Sequence, residues 1–158
     1  NDGKAPTLRT EATDTTSANV PLVAVGNTPC NGHNPPKHLN SEFNYIRINS
    51  LEVANGGIVE SERGKPVYVE ASVGNLAEAK WLAPKNAVTG AVYLVAESPK
   101  HGKLTCPIKA DTPFLADAEV PKRRLLEKLD SEVTFTFRML AQDRAEFGEV
   151  VRVTLRPR

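Results

Sequence analysis

Strict alternation of apolar and polar residues over 132–139 is the feature that most constrains this chain. In the segment EVTFTFRM, apolar side chains occupy every second position, at Val133, Phe135, Phe137 and Met139. Successive side chains of a β-strand point to opposite faces, so this pattern predicts a strand with one face buried and one face in water.

The same alternation recurs from Tyr45 onward and predicts further strands over 45–49, 67–73 and 149–155, and the apolar run over 21–25 is compatible with a short first strand. Residues 89–96 are apolar on both faces, which favours a central strand. Lys103–Ile108 contains Pro107, and proline in a strand favours a sheet edge. The turn dipeptide Gly74-Asn75 ends one of these runs.

One segment, 122–130, departs from the period of two. Leu125, Leu126 and Leu129 have helical spacing, so we expect either a short helix or an irregular crossover there. The other segments predict an all-β fold, a two-sheet sandwich of about seven or eight short strands.

The 158 residues suit one domain with a real core. Residues 1–19 are rich in Thr, Ser, Asp and Ala, and we interpret them as a linker or extended arm before a single domain over 20–158. The chain begins at Asn1 without Met or a leader segment, so we expect a mature product or a fragment of a larger protein.

Two stretches carry a family resemblance. Alternating aromatics run into Ala-x-Asp, a glycine and a Val-rich last strand, at Phe135, Phe137, Ala141, Asp143, Gly148, Val151 and Val153. Earlier, a pattern close to Val-x-Asn-x-Gly-x-Ala-x-Trp places Val73, Asn75, Ala79 and Trp81, with Leu76-Ala77 replacing the usual turn residues.

Over about residues 45–156 the chain thus resembles immunoglobulin-like or fibronectin type III-like modules. The second pattern is similar to modules attached to secreted bacterial glycoside hydrolases and surface proteins. The resemblance implies a sandwich fold and an accessory role beside a catalytic domain, and it concerns the fold more than any site.

Cys30 and Cys106 lie far apart in the sequence. A disulfide between them would pin the Gly-, Pro- and Asn-rich loop over 26–44 to the domain and would imply an oxidising compartment. Two alternatives stay open: free thiols, or a zinc site. The zinc ligands would be Cys30, His33, His101 and Cys106, although their spacing fits zinc knuckles poorly.

Charge argues against nucleic acid as a partner. Twenty Lys and Arg face nineteen Asp and Glu, for a net charge of +1. Acidic neighbours dilute the one basic run, Lys122–Arg124 with Lys128, which we interpret as a solvated surface. No apolar run approaches the ~18 residues of a membrane helix, so we expect no membrane insertion.

The usual catalytic motifs are absent from the sequence. It lacks Gly-x-Ser-x-Gly, His-Glu-x-x-His and a phosphate-binding Gly-Lys-Ser/Thr loop. Carboxylates are grouped, but a glycosidase needs two held about 5–10 Å apart in a cleft. Asp111, Asp117 and Glu119 are weak calcium candidates, because their spacing does not match an EF-hand; solvated loop carboxylates are the alternative.

Three tyrosines, Tyr45, Tyr68 and Tyr93, are possible ligand contacts, since sugar-binding sandwiches present flat aromatic rings. Tyrosines that simply cover sheet surface are the alternative. Trp81 beside Leu82 is expected in the core.

We therefore expect a non-catalytic accessory or interaction module of a secreted, extracellular or periplasmic protein, with no cofactor. Its role would be domain packing, spacing or weak glycan contact, and its partner a neighbouring domain, another protein or a polysaccharide. Two other hypotheses stay open. One is a stand-alone recognition domain that uses the 26–44 loop. The other is a small carboxylate-dependent hydrolase, for which the sequence does not identify the two carboxylates that would act together.

Overall fold

A computed structural model of the chain describes residues 20–21, 38–87 and 89–158. The expected linker over 1–19 lies outside these residues. So do Cys30, His33 and most of the 26–44 loop, of which only 38–44 are described, with 38–39 and 41–44 in strands.

Strands dominate the described residues, and the one helical element is a 3-10 turn over Pro84–Asn86. In chain order the strands are β1 (Val20–Pro21), β2 (His38–Leu39), β3 (Ser41–Ile48), β4 (Leu51–Val53), β5 (Gly57–Ser61), β6 (Val67–Asn75), β7 (Val92–Ser98), β8 (Gly102–Pro107), β9 (Asp117–Leu126), β10 (Val133–Ala141) and β11 (Ala145–Pro157).

Two sheets form the predicted sandwich. The first has five strands in the order β5-β11-β10-β7-β8, and the second has four in the order β4-β3-β6-β9. The short strands β1 and β2 pair separately. Most pairings are antiparallel, but β5 runs parallel to β11, the last strand.

The alternation in the sequence sets which faces are buried. Val133, Phe135, Phe137 and Met139 of β10 lie in one core cluster with the inward residues of β3, β6 and β11. Trp81 is in this cluster, fully buried, as expected. Beta-branched and aromatic side chains on facing sheets fill the space between them.

Of the two alternatives predicted for 122–130, a short helix or an irregular crossover, the helix was wrong. Residues 122–126 continue β9, and only 127–130 form an irregular connection. Pairing of β9 with β6 shifts register twice, and one shift leaves Leu125 between Arg124, opposite Tyr68, and Leu126, opposite Val67. This bulge buries the neighbouring residues Leu125 and Leu126 together. Two adjacent buried leucines are also typical of the apolar face of a helix.

The predicted sheet positions of two strands are confirmed. The central strand β7 pairs with β10 on one side and β8 on the other, and β8 forms the edge. The prediction of seven or eight strands was lower than the number in the structure, because β4 and β5 are short edge strands whose sequences do not alternate. Edge strands are half solvated, so their sequences carry less of that signal.

Several loops meet at one end of the sandwich, which we call the loop end. There β6 finishes at Asn75, beside the start of β3 and of β9. Residues 76–87 and 89–91, the turn over 113–116 and the hairpin over 141–145 all lie at this end, joined by backbone hydrogen bonds.

Candidate functional site

Two consecutive apolar side chains project from the loop end. Phe114 is 51% exposed and Leu115 is 69% exposed, and Pro113 before them is exposed as well. We call Phe114 and Leu115 the knob. Scattered exposed apolar residues are ordinary, but two large neighbours on one turn form a contact surface.

The turn that carries the knob has an uncommon backbone. The N–H of Ala116 donates to the carbonyl of Pro113 at 3.0 Å, which closes a four-residue turn. Leu115, at its third position, has φ of 68°. A positive φ there marks a type II turn, where glycine is usual. For a leucine this conformation costs about 1–2 kcal/mol.

Asn75, at the end of β6, stabilises this turn through hydrogen bonds. Its backbone N–H donates to the carbonyl of Ala116 at 3.0 Å, and its carbonyl accepts from the N–H of Leu115 at 2.8 Å. The fully buried side-chain amide donates to the carbonyls of Ala79 and Thr112, both at 2.9 Å. The knob is therefore held on a rigid base.

Trp81 completes the base on the other side. It exchanges two backbone hydrogen bonds with Thr112, of 2.9 and 2.8 Å, and its ring packs edge-on against Phe147 with centroids 5.5 Å apart. Asn75, Ala79 and Trp81, which carried the early resemblance, thus act inside the fold and position the knob without being exposed themselves.

Asp111 ties the knob turn to the neighbouring loop. Its Oδ1 accepts from the side chain of Asn86 at 3.0 Å and from the N–H of Ala83 at 2.9 Å. The hydrogen bond from Asn86, helped by that from Ala83, lowers the pKa of Asp111, and the charges of Lys80 and Lys85 act in the same direction.

A second tie holds β2 against the loop end. Glu78 Oε2 accepts from the N–H of His38 at 3.0 Å and lies 2.8 Å from His38 Nδ1. Partial burial acts to raise the pKa of Glu78, but the hydrogen bonds from His38 and from its own N–H outweigh that effect and lower it.

The structure does not gather the calcium candidates into a site. Asp111 is bound as described, Asp117 accepts from Asn44 at 3.0 Å, and Glu119 pairs with Lys109 at 3.6 Å. Within the described ranges, no group of three or more His, Cys, Asp or Glu side chains is placed to hold a metal.

Of the zinc candidates, only His101 and Cys106 are described. His101 precedes β8 and stacks on Phe135, whereas Cys106 lies near the far end of β8. Five residues of strand separate them by about 16 Å, too far to share one metal ion.

Cys106 is fully buried and forms no disulfide within the described residues; burial raises the pKa of its thiol, although the charge of Arg123 opposes the rise. A thiol so placed reacts slowly. Since Cys30 lies outside the described residues, the predicted disulfide stays a prediction.

The three tyrosines do not form one platform. Tyr45 and Tyr68 lie on the outer face of the four-stranded sheet, whereas Tyr93 is on the other sheet. Arg47 covers the Tyr45 ring at 3.8 Å from its centroid, and Lys122 lies 5.6 Å from that of Tyr68. These cations already occupy the ring faces that a sugar would stack on.

Clefts of the described surface include one at each of two places. One of about 310 Å³ lies at the opposite end, between the β7–β8 turn and residues 126–131. The other, of about 160 Å³, lies between β3, β4 and β11, and both Glu52 and Glu149 line it. Glu149 already accepts a hydrogen bond of 2.9 Å from the N–H of Phe43.

No family model matches this chain, and no curated protein does. No helix among the described residues is long and apolar enough to cross a membrane.

Sequence reasoning missed the knob. Its one signal is a proline before two large apolar residues in the otherwise polar stretch KADTPFLAD.

Proposed function

We propose that this chain is a non-catalytic β-sandwich module of a larger secreted protein, and that it works by binding another folded protein surface through its knob. Leu115 carries the proposal. Its side chain is 69% exposed, while its backbone holds an unfavourable positive φ.

Such a residue costs the fold stability and returns little to the core. Glycine would fit this turn without strain, and an exposed leucine buries little apolar surface. Strained residues often serve a contact or a reaction outside the fold. A turn braced by Asn75 loses little freedom on binding, which favours association.

The strand order supports the immunoglobulin-like or fibronectin type III-like assignment. One sheet contains β3-β6-β9 and the other β7-β10-β11. These match strands A, B, E and C, F, G of the immunoglobulin sandwich. On this basis the parent protein would be secreted, for example a bacterial glycoside hydrolase, and the module would sit beside its catalytic domain.

The other hypotheses have less support. Glycan contact through Tyr45 and Tyr68 would have to displace the cations over their rings. A hydrolase would need Glu52 and Glu149 as a pair, and Glu149 is committed to the backbone of Phe43. Recognition by the 26–44 loop concerns mainly residues outside the described part, since the structure describes only 38–44 of it.

Photo-cross-linking tests the proposal. Benzoylphenylalanine replaces Phe114 in one sample and Leu51 in a matched control, because Leu51 is an apolar side chain of similar exposure, 62%, at the start of β4. Both proteins are irradiated in the extracellular fraction of the source cells. We expect a discrete product from position 114 only.

Competition makes the result specific. An excess of wild-type protein without benzoylphenylalanine should compete for the partner and suppress the cross-linked product. An excess of the variant with both Phe114→Ser and Leu115→Gly should leave the product unchanged. Equal cross-linking from positions 114 and 51, or equal suppression by both competitors, would contradict the proposed role of the knob.

A further inference from the structure

We propose that Asn55 is a site of spontaneous deamidation, that hydrogen bonds to Arg152 slow the reaction in the folded protein, and that the reaction releases the start of β5 from β11. The inference concerns a covalent modification of the chain itself and does not use the knob. It goes beyond the proposed function, and either one can fail without the other.

Asn55 and Gly56 are the pair of residue types that favours deamidation most. The reaction begins when the backbone nitrogen of the following residue attacks the side-chain carbonyl carbon of the asparagine. Glycine has no Cβ, so its nitrogen approaches with the least steric hindrance. Both residues are exposed in the turn between β4 and β5, so water reaches the reacting groups.

The reaction consumes water and releases ammonia. The nitrogen of Gly56 forms a bond to Cγ of Asn55 and loses its proton, while the side-chain amino group takes up a proton and leaves as ammonia. Water then opens the resulting succinimide ring. Cleavage of the bond to Cγ gives aspartate, and cleavage of the bond to the main-chain carbonyl carbon gives isoaspartate, in which the main chain runs through the former side chain.

Hydrogen bonds in the folded protein already use both reacting groups. The N–H of Gly56 donates to the carbonyl of Arg152 at 2.7 Å, and Oδ1 of Asn55 accepts from the N–H of Arg152 at 2.8 Å. We call these two hydrogen bonds the clamp. The N–H of Gly57 also donates to the carbonyl of Ala54 at 2.9 Å, which closes the turn. Because the proton of the attacking nitrogen is donated to Arg152, the attack requires the clamp to open first.

The clamp lies at the point where β5 begins to pair with β11. Directly after it, Gly57 pairs with Val153 in the parallel ladder. Isoaspartate adds a methylene group to the main chain and so displaces the groups that meet Arg152. The modified chain should therefore lose pairing at the start of β5.

The charge of the product acts in the same direction. Asn55 lines the cleft of about 160 Å³ that Glu52 and Glu149 also line. Aspartate and isoaspartate each add a carboxylate to this cleft, and like charges close together are unfavourable. Deamidation thus weakens the structure around the clamp through charge as well as through geometry.

Peptide mass spectrometry of the whole chain tests the inference, after ageing at mildly alkaline pH in native buffer and in guanidinium chloride. A second Asn-Gly pair, Asn31-Gly32, provides an internal reference in the denaturant. We expect both asparagines to react at similar rates there. Since two hydrogen bonds must open, Asn55 should react at least about tenfold more slowly in the native protein than in the denaturant.

Two core variants separate local opening of β5 from a general loss of stability. Val59→Ala removes buried methyl groups from β5, and Val120→Ala removes the same groups from β9, an edge strand of the other sheet. Val59→Ala should speed native deamidation of Asn55 about threefold or more, because it loosens β5. Val120→Ala should keep the rate within about twofold of the wild type. Circular dichroism confirms that both variants are folded.

Hydrogen exchange of the aged protein tests the release of β5. Anion exchange separates the fractions by their added charge, and peptide mass identifies the fraction deamidated at Asn55. Exchange over 57–61 should be faster in this fraction than in the unmodified protein. The inference is overturned by any of four results: no reaction at Asn55 in the denaturant, equal rates in native protein and denaturant, equal rates in the two variants, or unchanged exchange over 57–61.

Discussion

The side-chain amide of Asn75 donates a 2.9 Å hydrogen bond to the carbonyl of Thr112, and this contact joins the end of β6 to the turn that carries the knob. The same amide serves Ala79. Asn75 is fully buried, and its Oδ1 accepts from the N–H of Ala77 at 3.2 Å. Its loss would leave the carbonyl of Ala79 and the N–H of Ala77 without these partners, whereas the carbonyl of Thr112 would keep the N–H of Trp81.

Asn75→Ala should therefore lower the free energy of unfolding by about 2–4 kcal/mol, because each buried group left unpaired costs about 1–3 kcal/mol. Urea unfolding measures the loss, and hydrogen exchange should be faster over 112–116. Asn86→Ala, an exposed amide, is the control and should cost under about 1 kcal/mol. Equal losses in the two variants would show that Asn75 is no brace.

Gly148 of β11 lies directly against Ser41 of β3. Its φ is 81°, and a Cβ there would overlap the side chain and backbone of Ser41. Gly148→Ala should cost about 2–5 kcal/mol, the sum of backbone strain and overpacking. Thermal and urea unfolding measure it.

Gly64 provides the matched control for this substitution. It has nearly the same φ, 80°, but nothing lies near the position of its absent Cβ. Gly64→Ala should cost only the backbone strain, about 1–2 kcal/mol. If the two alanine variants were equally stable, the contact with Ser41 would have no energetic weight.

Stability at acid pH should depend on Glu78 and Asp111. Both pKa values are lowered in the fold, so the unfolded chain binds more protons, and stability falls as pH falls. The contribution is complete above the ordinary values of 4.5 and 3.8 and is lost as pH drops through the lower folded values.

Unfolding measured between pH 6 and pH 2.5 tests this dependence. Glu78→Gln and Asp111→Asn should each show a flatter decline than the wild type, by a modest amount because both groups are solvated. Glu127→Gln, at an exposed carboxylate on the 127–130 connection, should follow the wild-type curve. If stability declined with falling pH in both test variants as steeply as in the wild type, the lowered pKa values of Glu78 and Asp111 would be contradicted.

Thiol chemistry tests the prediction for Cys30 and Cys106. In the native protein Cys106 should resist labelling, because it is buried and its pKa is raised. Labelling in denaturant, with and without reductant, decides the pairing. Thiols that react only after reduction establish the disulfide, and two thiols that react without reductant would remove this support for a secreted origin.

Much of the fold follows from the sequence because burial on one face imposes a period of two. The alternation in 67–73 and 132–139 located β6 and β10 and their inward residues. Leu125 and Leu126 misled because a bulge, set by pairing with Val67 and Tyr68, buried two neighbours at once. Register shifts of this kind arise from tertiary pairing, which no local pattern encodes.

The candidate site was less accessible to sequence reasoning. Exposure of Phe114 and the positive φ of Leu115 depend on how Asn75 and Thr112 hold the turn. Those partners lie up to 40 residues away along the chain. Residue types alone mark Phe and Leu as core formers, so the sequence favoured burial where the structure has exposure.

The most direct test of the account is the stability of two variants at Leu115, because the proposal requires that this leucine strains the turn. Leu115→Gly should raise the free energy of unfolding by about 0.5–1 kcal/mol, as relief of the positive φ exceeds the added entropy of the unfolded chain. Leu115→Ala keeps the strain and should stay within about 0.5 kcal/mol of the wild type. A glycine variant less stable than both would mean that Leu115 serves the fold, and the case for an external contact at the knob would fail.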